Sequence, residues 1–147
     1  KHTEDELVAV LAHEVGHYKK KHILTSLILS ILQLGLMCFL FELCLNEENI
    51  SRALGSDKVV FHLGLVGFGI LYIPIGTIVG IFMNILSRKN EFEADEYAKK
   101  TFEGSSLELA LKKLSVDNLT NLYPHPLYVF IHYSHPPLLK RLEALNK

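Results

Sequence analysis

The 147-residue sequence predicts an all-α, membrane-spanning chain, and three observations carry that expectation. Two long apolar blocks hold almost no charge, a capped helix opens the chain, and apolar residues return at helical spacing in its last segment. Apolar types make up 49% of the residues against 15 basic and 16 acidic ones, and the mean hydropathy is +0.23. That balance excludes a disordered tail, which needs low hydrophobicity and high net charge. A net charge of -1 also argues against nucleic acid as a partner, because phosphate recognition needs a basic surface.

The length suits one domain, 1–147, and its elements follow in order. Residues 3–20 read as a helix within a first segment, 1–22. Thr3 is a good N-cap, Glu6 completes a capping box, and Asp5 adds negative charge to the first turn. Leu7, Val8, Leu11 and Val15 recur at helical spacing, and Lys19, Lys20, Lys21 and His22 follow as a basic cluster. A chain that opens on Lys1 straight into a helix signal, without a charged-then-apolar leader, is expected to be a segment of something longer.

Residues 23–45 form the first apolar block, 23 residues with the single charge of Glu42. As a helix it is about 34 Å long, enough for a hydrocarbon core of about 30 Å. Residues 59–86 form the second block, 28 residues without Asp, Glu, Lys or Arg. Its Pro74 and five glycines are tolerated in membrane helices, where small residues permit close contact. His62 in this block is costly if it faces lipid and is expected to look into the protein. Cys38 and Cys44 read as small buried hydrophobes without a redox role.

The link 46–58 is polar and reads as a loop. Lys19, Lys20, Lys21, Arg88 and Lys89 flank the outer ends of the two spans, against Arg52 and Lys58 in the link. That asymmetry places the outer ends in the cytoplasm. The region 87–147 reads as helical: Asn90 to Phe102, then a helix capped by Ser105 or Ser106 and running to about Leu119. Tyr123 to Ser134, with two prolines and many aromatics, reads as extended or irregular. Pro136 and Pro137 suit the start of a last helix whose apolar face is Leu138, Leu139, Leu142 and Leu145.

His13-Glu14-Val15-Gly16-His17 is an HExxH pattern inside the capped helix. Positions i and i+4 share one helix face, so both imidazoles can reach the same ion. Glu14 is placed to hold an activated water and take its proton. A catalytic zinc needs a third protein ligand, and the cysteines lie in the membrane block. Asn90-Glu91-Phe92-Glu93-Ala94-Asp95 follows the second span. Glu91 and Asp95 are i, i+4, with Ala94 and Ala98 beside them, while Ala9, Ala12 and Gly16 offer a small surface near the histidines. Glu91 is therefore the expected third ligand and Asp95 the acceptor for a ligand imidazole's other N–H. Glu93 points roughly away, and Glu96 is a weaker competitor.

With Ser-Arg-Lys-Asn-Glu-Phe-Glu-Ala-Asp after the spans and Tyr-Ser-His-Pro-Pro-Leu-Leu-Lys-Arg-Leu near the end, the sequence resembles the CAAX prenyl protease type 1 family of integral-membrane zinc metallopeptidases. The resemblance covers almost the whole chain. It implies Glu91 as the glutamate ligand and Asp95 as the aspartate behind a histidine ligand. It also implies His135 as a donor to the substrate or the developing oxyanion, and Arg141 as an arginine near the active site that can bind substrate. The family's full chain has further spans before HExxH. His125 and His132 are expected to be structural or surface residues.

The expected chemistry is peptide hydrolysis with one zinc on His13, His17 and Glu91, Glu14 as general base and His135 as oxyanion donor. The expected partners are a lipid bilayer and a peptide or protein substrate, prenylated in the resembled family's eukaryotic members. The active site is expected on the cytoplasmic side, of the endoplasmic reticulum or inner nuclear membrane in a eukaryote and of the inner membrane in a bacterium. Two other readings are a heat-shock-type quality-control membrane protease and a zinc-stabilised scaffold without turnover. The general base Glu14 speaks against the scaffold.

Overall fold

Thr3 opens the first helix as its composition requires. Its side chain accepts from the backbone N–H of Glu6, whose carboxylate accepts from the N–H of Thr3 in return. The computed structural model describes residues 2–147, and the described residues form helices only. These are α1 (Glu4–Lys19), α2 (His22–Asn46), α3 (Glu48–Ala53), α4 (Phe61–Thr101), α5 (Gly104–Asp117), α6 (Pro126–His132) and α7 (Leu138–Leu145). α2 and α4 are long and apolar enough to cross a membrane.

The chain divides into two compact units. One is Thr25–Gly80; the other combines the residues up to Leu24 with Ile81–Lys147. In Thr25–Gly80, α2 packs on the start of α4. A Cβ on Gly64 would lie 2.9 Å from the Cα of Leu45 and 3.0 Å from the carbonyl of Cys44, so only glycine allows that backbone approach. The rings of Phe41 and Phe68 meet edge-on at 5.1 Å. Ser51, 2% exposed, accepts from the N–H of Val60 and ties α3 to the segment that leads into α4.

In the other unit, Ala9, Ala98, Leu107, Leu111 and Leu145 form a small core with Val10, Ala12 and Leu138 packed against it. This core joins α1, α4, α5 and α7. Lys113 on α5 donates to both carboxylate oxygens of Glu6 on α1, at 2.6 and 2.9 Å.

Several expectations need correction. The second span does not end before a separate helix: α4 runs unbroken through Asn90 to Thr101, because no Gly or Pro interrupts residues 81–103. The link 46–58 holds the short helix α3, whose N-cap Glu47 accepts from the N–H of Asn49. The aromatic stretch is not irregular throughout, since His125 caps α6 and Pro126 takes its first turn. Neither Ser105 nor Ser106 caps α5. Glu103 holds that position, and Ser106 is buried and donates to the carboxylate of Glu103.

Exposure also departs from the pattern on α1. Leu7, Val8, Leu11 and Val15 are exposed, whereas Glu6, Ala9, His13 and Gly16 are buried. The small and ionisable face, not the apolar one, packs inward. Cys38 is exposed and Cys44 half-buried, so neither is the buried hydrophobe the sequence suggests. His62 is exposed too. It lies in the first turn of α4, at a helix end where a polar side chain is cheaper than at mid-span.

Candidate metal centre

Close approach of α1 and α4 builds the site, and small residues permit it. A Cβ on Gly16 would lie 3.1 Å from both the Cα of Ala94 and the Cβ of Tyr97. Ala9 and Ala94 are fully buried, and Ala98 is almost so. Glu91 on α4 thereby faces the two imidazoles of α1.

Nε2 of His13 and Nε2 of His17 are 3.1 Å apart. Glu91 adds Oε2 at 3.7 Å from His13 Nε2 and Oε1 at 3.5 Å from His17 Nε2. Tetrahedral zinc with ligands at about 2.0–2.1 Å separates them from one another by about 3.3 Å, and the three distances bracket that figure. Two ring nitrogens turned on each other also need a proton or a cation between them. The donor set and its spacing therefore fit a zinc-like ion, with one atom from each of the three residues lying within 4.8 Å of the others.

Asp95, one turn beyond Glu91, is 1% exposed. Its Oδ1 lies 2.9 Å from Nδ1 of His13. The distance suits a hydrogen bond, but the ring is turned off the straight N–H···O line, and this nitrogen is buried without a well-aligned partner. Arg141 reaches over from α7. Its Nε and one terminal nitrogen donate to Asp95 at 2.8 and 2.6 Å, and its other terminal nitrogen lies 3.2 Å from Oε2 of Glu91. One guanidinium thus clamps two carboxylates that are i, i+4 on α4, a match for its forked geometry.

These contacts set the charge states. Burial alone would raise the Asp95 carboxyl, but the neighbouring His13 imidazole and the hydrogen-bonded guanidinium of Arg141 outweigh it and hold the group below its usual range. Burial opposes the charge on Arg141 as well, yet Asp95 and Glu91 keep it raised. Burial, reinforced by neighbouring His13, lowers His17 below the usual imidazole value of 6.5, which favours the neutral ring that a metal needs.

Glu14 and His135 complete the cleft, a cavity of about 430 Å³ lined also by Val10, Leu107 and Leu111. Glu14 is exposed to it. His135 sits just before Pro136 and Pro137, and its Nδ1 is 3.2 Å from Oε1 of Glu91 with the side chain 68% exposed.

Every site residue expected from the sequence is brought together here: His13, Glu14, His17, Glu91, Asp95, His135 and Arg141. Glu96 lies outside the group, paired with Lys100 at the surface. His125 and His132 are exposed and outside it. Sequence reasoning missed two neighbours. Nδ1 of His22 lies 3.1 Å from Nδ1 of His17, and its Nε2 lies 3.3 Å from Oε2 of Glu93. The turn at Lys21, with φ 59, folds His22 back beside α1, and no helical spacing announces that.

A model of peptidase family M48 matches residues 1–147. The chain belongs to peptidase family M48. It is 40% identical over 147 residues to the CAAX prenyl protease 1 homolog of Arabidopsis thaliana, covering 97% of this chain and 34% of that protein. It is 38% identical over 145 residues to the human CAAX prenyl protease 1 homolog, covering 97% of this chain and 30% of that one. The crystal structure of S. mikatae Ste24p superposes with a TM-score of 0.80 at 35% identity, covering 97% of this chain and 36% of that chain. This M48 chain therefore spans about a third of the length of the curated relatives it matches.

Proposed function

We propose that this M48 chain carries the catalytic centre of a membrane-embedded zinc metalloendopeptidase, with the centre on the cytoplasmic side. The convergence of His13, His17 and Glu91 at spacings suited to tetrahedral zinc, with Glu14 in the same cleft, is the observation that carries the reading. Zinc on these three residues supplies Lewis acidity to the scissile carbonyl and lowers the pKa of a water toward neutrality.

The chain's own residues divide the remaining work. Glu14 accepts the proton of the attacking water and passes it to the leaving amine. His135, exposed beside Glu91, donates to the oxygen on which negative charge develops. Asp95 accepts from Nδ1 of His13 and so orients that ring. Arg141 holds Asp95 and Glu91 in place by its two-sided clamp, a positioning role that its low exposure favours over direct substrate contact.

Substrates are peptides or proteins whose prenylated CAAX C-termini are trimmed, a reading supported by the names of the Arabidopsis and human relatives. Lys19 to Lys21, Arg88 and Lys89 support the cytoplasmic placement through their excess at the outer ends of the two apolar segments.

The test uses the full-length protein in detergent. Glu14→Gln should keep its zinc and lose about 10²–10⁴-fold in peptide hydrolysis. A farnesylated CAAX peptide should be cut in preference to the same peptide without lipid. Undiminished turnover by Glu14→Gln at full zinc occupancy defeats the catalytic assignment, and equal cleavage of both peptides defeats the substrate assignment alone.

A further inference from the structure

We propose that His22 and Glu93 are positioning residues that hold the ligand imidazole of His17, as Asp95 holds that of His13. The inference rests on the zinc reading above and adds to it a hydrogen-bonded chain on the opposite side of the centre.

The geometry closes as a proton inventory. If Nε2 of His17 faces the metal, a neutral ring carries its proton on Nδ1 and must find an acceptor there. Nδ1 of His22 lies 3.1 Å away. Accepting at Nδ1 makes neutral His22 a donor at Nε2, and Oε2 of Glu93 lies 3.3 Å from that nitrogen. Each donor then has one acceptor. Lys89, one turn before Glu93, lies 3.7 Å from its other oxygen and balances the terminal charge.

Burial argues that the arrangement is built rather than incidental. His22 is 7% exposed, and a buried imidazole needs partners for both nitrogens. The rings of His17 and His22 meet edge-on at 5.1 Å, which fixes the plane of His17. The backbone adopts a left-handed turn at Lys21, φ 59, unfavourable for a side-chain-bearing residue. That turn is what brings the first residue of α2 back against the last turns of α1. The two ligand imidazoles are thus held differently: His13 directly by a carboxylate, His17 by a carboxylate through a second imidazole.

Outer partners of ligand imidazoles are typically worth 10- to 100-fold in metal affinity. Zinc affinity of the full-length protein in detergent, by chelator competition, is the primary readout. The visible spectrum of the cobalt-substituted protein is the second. His22→Leu should weaken zinc binding about 10- to 100-fold and shift the cobalt bands. His22→Asn, whose amide oxygen can accept from Nδ1 of His17, should recover most of that loss. Glu93→Ala, at a half-buried position on α4, should weaken binding less than His22→Leu, and the double variant no further than His22→Leu alone.

Wild-type zinc affinity in His22→Leu overturns the proposal. So do equal losses in His22→Leu and His22→Asn, which assign the effect to packing. Should His22→Leu fail to fold, His22→Asn near wild type with Glu93→Ala weakened sustains the proposal, and wild-type affinity in Glu93→Ala overturns it. Failure of the zinc reading itself looks different, because then the wild-type protein binds no zinc.

Discussion

The unit Thr25–Gly80 and the unit that carries the metal-ligand candidates are both helical, yet they bury opposite things. In Thr25–Gly80 no large apolar side chain is buried, most being exposed and the rest half-buried, and Ser51 is the one buried polar residue among those described. In the other unit Glu6, His13, His22, Asn90, Glu91, Asp95 and Ser106 are all buried, beside a core made mostly of alanine and leucine. An apolar helix face turned outward asks only for hydrocarbon surroundings, so its side chains are interchangeable within that class. A buried carboxylate asks for a particular partner at a particular distance, and removing the partner leaves a charge without compensation.

The largest effect expected from this contrast falls on Arg141. Arg141→Ala strands the carboxylates of Asp95 and Glu91 and should cost about 3–5 kcal/mol together with zinc content. Leu32→Met, apolar for apolar at an exposed position of α2, should shift stability by no more than about 0.5 kcal/mol. Comparable losses in the two variants, measured by denaturation in one detergent, would erase the distinction between the units.

A smaller loss is expected where α1 and α4 touch. Gly16→Val drives a branched side chain into the backbone of Ala94, already 3.1 Å from an ideal Cβ, and overpacking of this kind costs about 1–3 kcal/mol. The same displacement separates Glu91 from the imidazoles, so zinc affinity should fall with stability. Unchanged zinc affinity would mean that the ligands do not depend on this helix contact.

The smallest effect sharpens the comparison through pH. Glu6 is held below the ordinary carboxyl value of 4.5, chiefly by hydrogen bonding to Lys113, with Thr3 and His2 adding to it against the opposing effect of burial. The native state therefore takes up this proton less readily than the unfolded chain. Its stabilising contribution is full above 4.5 and is lost as pH falls through the lower folded value. Glu6→Gln should flatten the stability curve in that acid window and leave its slope near neutrality unchanged. An unaltered acid limb would show that the pair with Lys113 carries no linkage.

How much was legible beforehand follows from range. The capping box of Thr3 and Glu6, the shared face of His13 and His17, and the pairing of Glu91 with Asp95 all act within four residues, and a 3.6-residue period reveals them. The outward turn of Leu7, Val8, Leu11 and Val15 was not legible, because periodicity identifies a face and not what covers it. The continuation of α4 past Leu86 was legible in the absence of Gly and Pro and was obscured by the change from apolar to charged composition. Arg141, 46 residues from Asp95, announced its place by resemblance but not its two-carboxylate grip.

By itself the sequence determined the helices α1, α2, α5 and α7, the two segments of membrane-spanning length, and which histidines and carboxylates share a face, because backbone hydrogen bonding and side-chain period are settled between near neighbours. Only the tertiary structure decided which face of α1 is buried, that Arg141 joins Asp95 to Glu91, and that His22 and Glu93, 71 residues apart, meet behind His17. Those outcomes depend on a left-handed turn at Lys21 and on the absence of side-chain bulk at Gly16. Each redirects distant parts of the chain without altering the local pattern from which a helix is read.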